Sequence, residues 1–234
     1  MDSKTHQSDV KRSFGDRLIE FLTRYRVPLL VLVVAIGVVT ASLVIYIAVR
    51  NNRIEQSLLA VETLADEYSA VSGLDRAQRE ERIDAIRERA DDIATRYSGM
   101  YAEARARMIH AQALYDIERF DEAATQFMAA SFVRSAAGTY LAPSALMNAA
   151  VAFEIAGATE RAVEILGSIA DDHPESALAA RALFSTGRLL ETLGRVDDAT
   201  VAYNRLIDDY ATSSWTNLAR NRIISLTVEG RIGG

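Results

Sequence analysis

From Val27 to Val49 the chain reads VPLLVLVVAIGVVTASLVIYIAV, 23 residues without a charge behind a mixed polar start. As a helix this run covers about 35 Å, enough for a hydrocarbon core of about 30 Å with some tilt. Only a helix can cross alone, because lipid offers backbone amides no partner. Pro28 falls in the first turn, where a missing N–H leaves no intrahelical bond unmade. Tyr25 and Tyr46 lie near the ends, as interfacial tyrosines do. The pattern then becomes amphipathic. Ile54 to Val71 runs on from the span with Leu58, Val61, Leu64, Ala65, Tyr68 and Val71 at helical spacing, and Gly73 ends it. Arg79 to Tyr97 is dense in both charge signs over an apolar edge of Ile83, Ile86, Ala90, Ile93 and Tyr97, so its charges read as a solvated face.

Beyond residue 98 the pattern repeats. ARMIHAQALYDIERFDEAATQF, SALMNAAVAFEIAGATERAVEIL and ARALFSTGRLLETLGRVDDATVAY superpose on Ala123, Ala162 and Ala199, spaced 39 and 37 residues apart. Each predicts an amphipathic helix, a short break and a second amphipathic helix. The breaks are Glu118–Phe120, Gly157–Thr159 and Gly194–Val196, two of them with the glycine that commonly ends a helix. Acids follow in each second helix's first turn (Asp121, Glu122; Glu160; Asp197, Asp198), at the positive end of its dipole. Ser214 to Val228 predicts a terminal helix covering the last apolar face, with Trp215 packed there.

This pattern resembles the tetratricopeptide repeat. Ala111, Ala150 and Gly187 stand at its small position midway along the first helix, and Ala123, Ala162 and Ala199 at its small position in the second. Phe127, Leu166 and Tyr203 follow as the large apolar residue. Small residues let the two helices approach, and the large one fills the neighbouring gap. The period exceeds the usual length of about 34, and Leu146, Leu183 and Arg107 stand where the repeat's tryptophan would be. Asp172-His173-Pro174-Glu175-Ser176 is similar to the D-[YH]-P-x-S turn of outer-membrane assembly lipoproteins and division coordinators, and Asp209-Tyr210-Ala211-Thr212-Ser213 matches it without the proline. The layout as a whole resembles the ancillary subunit of the bacterial Sec translocon. The expected fold class is all-α: one N-terminal transmembrane helix, then an α-solenoid of about three tetratricopeptide-like hairpins with lead-in and capping helices. The expected divisions are a cytoplasmic tail (1–26), the span (27–49), lead-in helices (50–97), the repeat domain (98–228) and a flexible C-terminus (229–234).

Charge adds a direction. Residues 1–26 hold Lys4, Lys11, Arg12, Arg17, Arg24 and Arg26, whereas the twenty residues after the span hold Arg50 and Arg53. The positive-inside rule leaves the tail in the cytoplasm and exports residues 50–234. Cleavage near Ala41-Ser42 is the alternative to an uncleaved anchor, but a signal peptide's apolar core of about 7–15 residues is shorter than this run. The exported part carries 20 Arg, no Lys and 28 acids (32 in all less Asp2, Asp9, Asp16 and Glu20), which argues against nucleic acid as partner. With no cysteine, neither a disulfide nor a lipidated N-terminal cysteine is available. Gly37 and Ala41 form one small-xxx-small pair, too little to predict a dimer or any other oligomeric state.

No catalytic, cofactor-binding or metal-binding constellation stands out. His6, His110 and His173 lack metal-ligand spacing, and nucleophile-elbow and phosphate-cradling motifs are absent. The expected activity is protein binding, not enzyme chemistry. By the repeat's pattern the inner groove would be lined by Met108, Gln112 and Tyr115, then Met147, Val151 and Glu154, then Phe184, Arg188 and Glu191. The Met, Met, Phe stripe reads equally as an adaptable apolar surface or as packing between repeats. Clamping of a C-terminal carboxylate, which some of these repeats do with Lys and Asn, is unexpected in a domain without lysine. The resemblance implies protein partners: translocon subunits, exported chains or periplasmic folding factors at the bacterial inner membrane. Similar repeats also serve as scaffolds for outer-membrane or cell-wall assembly.

Overall fold

The computed structural model describes residues 14–232, all of them in helices and connecting turns. Lys4, His6, Lys11 and Arg12 of the tail and the last two residues lie outside the described residues. The chain divides into two compact units, Met1–Ile54 and Glu55–Gly234.

The first unit holds α1 (Phe14–Arg24) and the apolar part of α2 (Arg26–Ser72). The sequence pattern did not predict α1. Backbone bonds continue across the junction, from the Tyr25 N–H to the Phe21 carbonyl and from the Leu29 N–H to the Tyr25 carbonyl, both 2.9 Å. Pro28 brings no N–H for the Arg24 carbonyl, which is where one helix gives way to the next. Among the described residues α2 is the one helix long and apolar enough to cross a membrane, and its apolar stretch is uncovered by protein. Thr40 disposes of its hydroxyl within the helix by donating to the Ile36 carbonyl at 2.7 Å.

The second unit stacks the end of α2 with α3 (Arg76–Arg96), α4 (Tyr101–Asp116), α5 (Phe120–Ser131), α6 (Leu141–Ile155), α7 (Thr159–Asp172), α8 (Ala179–Thr192), α9 (Val196–Asp209) and α10 (Ser214–Val228). Asp75 starts α3 by accepting from the Gln78 N–H at 3.0 Å. From α3 onward each helix packs on the next, so the three hairpins are α4/α5, α6/α7 and α8/α9, closed by α10. Val61 and Leu64 of α2 join Ile83, Ile86 and Ile93 of α3 in a core that runs on through α8, and Tyr203, Leu206 and Leu226 carry burial to the end of the stack. First helices touch first helices, α4 with α6 and α8 with α10, which puts them together on the inner face.

Each hairpin depends on close approach. In the third, an added Cβ on Gly187 would meet Tyr203 Cζ at 2.6 Å and Cδ1 at 2.8 Å, with Cε1 closer still. The smallest residue thus sits under the largest of the three fillers, and Tyr203 is almost wholly buried. Ala111 and Ala150 occupy the equivalent positions opposite the smaller-ended Phe127 and Leu166, all four of them buried. Between hairpins, the D-[YH]-x-x-S segments turn one repeat into the next. His173 and Tyr210 cap α7 and α9 by donating their N–H to the Ile169 and Leu206 carbonyls. Ser176 and Ser213 then accept from the N–H two residues on, at 3.2 and 3.3 Å. The Tyr210 hydroxyl ties one turn to the previous one, donating to the Pro174 carbonyl at 2.9 Å.

Inside the hairpins the breaks share one geometry. Glu118, Gly157 and Gly194 have φ of 64°, 84° and 75°. Each donates to the carbonyl three residues back, and the next N–H reaches the carbonyl five back (Arg119 to Leu114, Ala158 to Phe153, Arg195 to Leu190). This is the Schellman ending, and it places a left-handed residue where glycine is cheapest. Glu118 holds it with a side chain, at a cost of about 1–2 kcal/mol, while its carboxylate pairs with Arg76 at the surface. Glu118→Gly is therefore expected to stabilise the protein by about 1 kcal/mol after the added chain entropy, raising the melting temperature by about 2–4 °C. An unchanged or lower melting temperature would count against the strain. Gly187→Ala, normally favourable in a helix, is expected to destabilise by about 1–3 kcal/mol through overpacking. Adding Tyr203→Leu should recover part of that loss in the same thermal melts.

Candidate functional site

The nine groove positions separate into three kinds of environment. Met147 is 5% exposed and belongs to the core; Met108 is half-buried against it. Phe184 stands between Tyr203 and Trp215, with ring centroids 5.7 and 5.4 Å away. The recurring apolar position is thus occupied in packing repeat on repeat. Periodicity alone does not separate packing between repeats from exposure on the inner face.

A second group forms polar links across the inner face. Gln112 donates to Asp116 Oδ1 at 3.0 Å, and the Tyr68 hydroxyl donates to Asp116 Oδ2 at 2.6 Å, joining α2 to α4. Arg188 of α8 grips Glu154 of α6 with two parallel bonds of 2.9 and 2.8 Å. Glu191 accepts from Arg222 of α10 at 2.9 and 2.5 Å and from the Tyr203 hydroxyl at 2.7 Å, with Arg231 3.5 Å away. Its carboxylate is only 8% exposed. Burial works to raise the Glu191 pKa, but the bonds from Arg222 and Tyr203 outweigh it and hold the group below the usual carboxylate range. The Tyr203 hydroxyl is pushed up, first by burial and then by donating to Glu191. Tyr68, Asp116, Arg222 and Arg231 were not expected at the groove. Tyr68 reaches Asp116, and Arg222 and Arg231 reach Glu191, from positions too distant in sequence for helical spacing to reveal; Gln112 and Asp116 do stand at helical spacing, four residues apart.

The third group remains open. Gln112, Tyr115 and Val151 line a cavity of about 220 Å³ between α4 and α6, completed by Phe127 and by Asn148, a residue the repeat pattern did not single out. Tyr115 is braced edge-on by Phe120, centroids 5.1 Å apart. The opening offers an aromatic edge, a branched aliphatic side chain and two carboxamides, a set that suits an apolar side chain together with its peptide group. A larger cavity, about 830 Å³, lies outside the three repeats between the end of α2 and α3. There Arg82, Arg89 and Arg96 face Glu67, Glu88 and Asp92, and Arg89 pairs with Glu67 at 3.1 Å. Charges paired across the larger cavity must be separated before anything apolar enters it, whereas among the described residues no such ion pair crosses the smaller one.

With this geometry in place, comparison with known proteins defines the class. Residues 20–228 match the family described as a tetratricopeptide repeat-like domain, and the chain belongs to that family. It is a repeat scaffold for protein–protein interaction. A TPR repeat-containing protein of Treponema pallidum (strain Nichols) is 36% identical over 105 residues, 43% of this chain. The match likewise spans only 43% of that relative's length. Two crystal structures of a Podosopora anserina protein described as a kinesin light chain with nearly identical TPR-like repeats superpose with a TM-score of 0.53. They are 12% identical, cover 76% of this chain and are covered over 88 and 89% of their own, a likeness of fold alone. Among the described residues no group of three or more His, Cys, Asp or Glu side chains is placed to hold a metal ion.

His110 lies on the other side of α4 from the open positions. It is 4% exposed, and its Nε2 has no hydrogen-bond partner. Burial chiefly lowers its pKa, with Arg87 and Arg119 pressing the same way against Asp91 and Glu122. A buried base with a lowered pKa leaves stability intact above its unfolded value of about 6.5 and costs stability as pH falls below it. Melting temperature is therefore expected to drop between pH 7.5 and 5.5. In His110→Leu that part of the drop should vanish. Parallel pH profiles for the two proteins would refute the assignment.

Proposed function

We propose that the chain is a membrane-anchored module that captures extended segments of other proteins at the opening between α4 and α6, on the exported side of the bacterial inner membrane. The observation that carries this reading is the contrast along the inner face: Tyr115, Asn148 and Val151 line an open cavity beside the Gln112–Asp116 link, while Glu154–Arg188 and Glu191–Arg222 pair directly from helix to helix. The apolar stretch of α2 supports anchoring by its length and composition, and the excess of basic residues before it supports a cytoplasmic tail. The layout of tail, span, lead-in helices and repeats favours work beside the Sec translocon, with translocon subunits, exported chains or periplasmic folding factors as partners. The D-[YH]-P-x-S turn at Asp172–Ser176 favours a second reading, a scaffold for outer-membrane or cell-wall assembly.

In-membrane photo-crosslinking from Tyr115 and Val151 tests this, with Glu81 on the exposed side of α3 as control. Translocon subunits, exported chains or folding factors captured only from the two inner positions are the expected result. Assembly or cell-wall proteins captured there instead would move the protein to the second reading. Identical products from Glu81 would remove the inner opening as the site. Val151→Glu is expected to lower capture at least about tenfold while leaving the helical signal unchanged, the loss of about 1.4 kcal/mol of binding. Met147→Glu is not a clean test, because it drives a carboxylate into the core.

A further inference from the structure

One face of α1 carries large apolar side chains that its own unit leaves exposed. Leu18, Ile19, Phe21, Leu22 and Tyr25 are 43 to 64% exposed, and together they occupy an arc of about 160° around the helix axis. Glu20, Thr23 and Arg24 fall on the rest of the circle. Phe21 and Tyr25 pack on each other, ring centroids 4.8 Å apart, and the Arg24 guanidinium carbon lies 5.9 Å from the Tyr25 ring. The apolar patch is thus continuous along the helix, with a cation at its edge.

What covers this face follows from what comes next in the chain. The backbone bonds at Tyr25 and Leu29 carry α1 into α2 within a single turn. The first residue of the uncharged run, Val27, is two residues past that patch. If Val27–Val49 spans the bilayer, the end of α1 sits in the headgroup layer, and five large apolar side chains have the acyl boundary within reach. An amphipathic helix with bulky apolar residues on one face and Arg on the other is the form that lies in such an interface, its apolar face sunk about 5–10 Å. Arg24 and Arg26 at its end suit anionic headgroups.

We propose that α1 is an interfacial helix lying in the cytoplasmic headgroup layer, its Leu18, Ile19, Phe21, Leu22 and Tyr25 face buried in the same bilayer that holds the span. The inference rests on the membrane-anchored reading. It gives the chain a second attachment to lipid, which sets the depth of Val27 and resists withdrawal of the span toward the exported side.

The cysteine-free sequence makes the test direct. Nitroxide labels go on single-cysteine variants of the full chain (Leu18→Cys, Ile19→Cys, Leu22→Cys, Glu20→Cys, Thr23→Cys and, in the span, Val38→Cys). The protein is reconstituted in phosphatidylethanolamine–phosphatidylglycerol vesicles, and each label's collisions with oxygen and with a water-soluble nickel chelate are compared. Positions 18, 19 and 22 are expected to favour oxygen, as 38 does, while 20 and 23 favour nickel. Nickel access at all five α1 positions with 38 still in lipid would overturn the interfacial helix and leave the anchor standing. Shielding of 18, 19 and 22 from both reagents would also overturn it, showing a protein cover; spectral broadening that unlabelled chain dilutes away would identify that cover as a second copy. Nickel access at 38 itself would take down the anchored reading, and this inference with it.

Discussion

The repeat unit rests on how near two helices of a hairpin can come. Gly187 lets the Tyr203 ring lie against the α8 backbone, and that contact sets the depth at which α9 packs. The ring then does two further things. Its edge supports Phe184, which in turn supports Trp215 of the terminal helix. Its hydroxyl orients the buried Glu191 carboxylate toward Arg222. One close approach between residues sixteen apart in sequence thus organises the end of the stack, from apolar core to inner-face charge.

The same economy decides which part of the inner face is left for a partner. Repeats stacked through small residues bring first helices near enough for long side chains to bridge them, as Arg188 does to Glu154 and Arg222 to Glu191. On the second helices Arg205 spans from α9 back to Asp171 and the Ala170 carbonyl of α7. Such pairs add little stability individually when exposed, but they fix the register of successive hairpins and occupy the groups that would recognise charge. Between α4 and α6 no such bridge stands in the cavity lined by Tyr115, Asn148 and Val151. Recognition there would rest on shape, aromatic contact and carboxamide hydrogen bonding.

Much of this was legible in the chain. The period of Ala123, Ala162 and Ala199, the breaks at Gly157 and Gly194, and the terminal helix Ser214–Val228 all follow from local pattern, because helices and their endings are local events. The first break, at Glu118–Phe120, follows from the same pattern, but not its conformation: Glu118 takes the left-handed geometry that its sister positions give to glycine, and residue type alone does not announce that. The inner face was less legible. Helical spacing finds which side of a helix is apolar, but Met147 and Val151 differ in burial through neighbours contributed by other helices. Asp116, Arg222 and Asn148 entered the site for the same reason. The tail hid α1 because its basic residues dominate a reading for topology, whereas its apolar positions show their arc only once the segment is seen to be helical.

Amide hydrogen exchange of the full chain in nanodiscs, with and without an unfolded exported polypeptide, tests the central claim most directly. The account predicts slowed exchange in α4 and α6 around residues 112–115 and 148–151, with α5, α7 and α9 unchanged. Protection confined to α10 or to the second helices would contradict it, since the partner would then be held on a surface that the open cavity between α4 and α6 does not form.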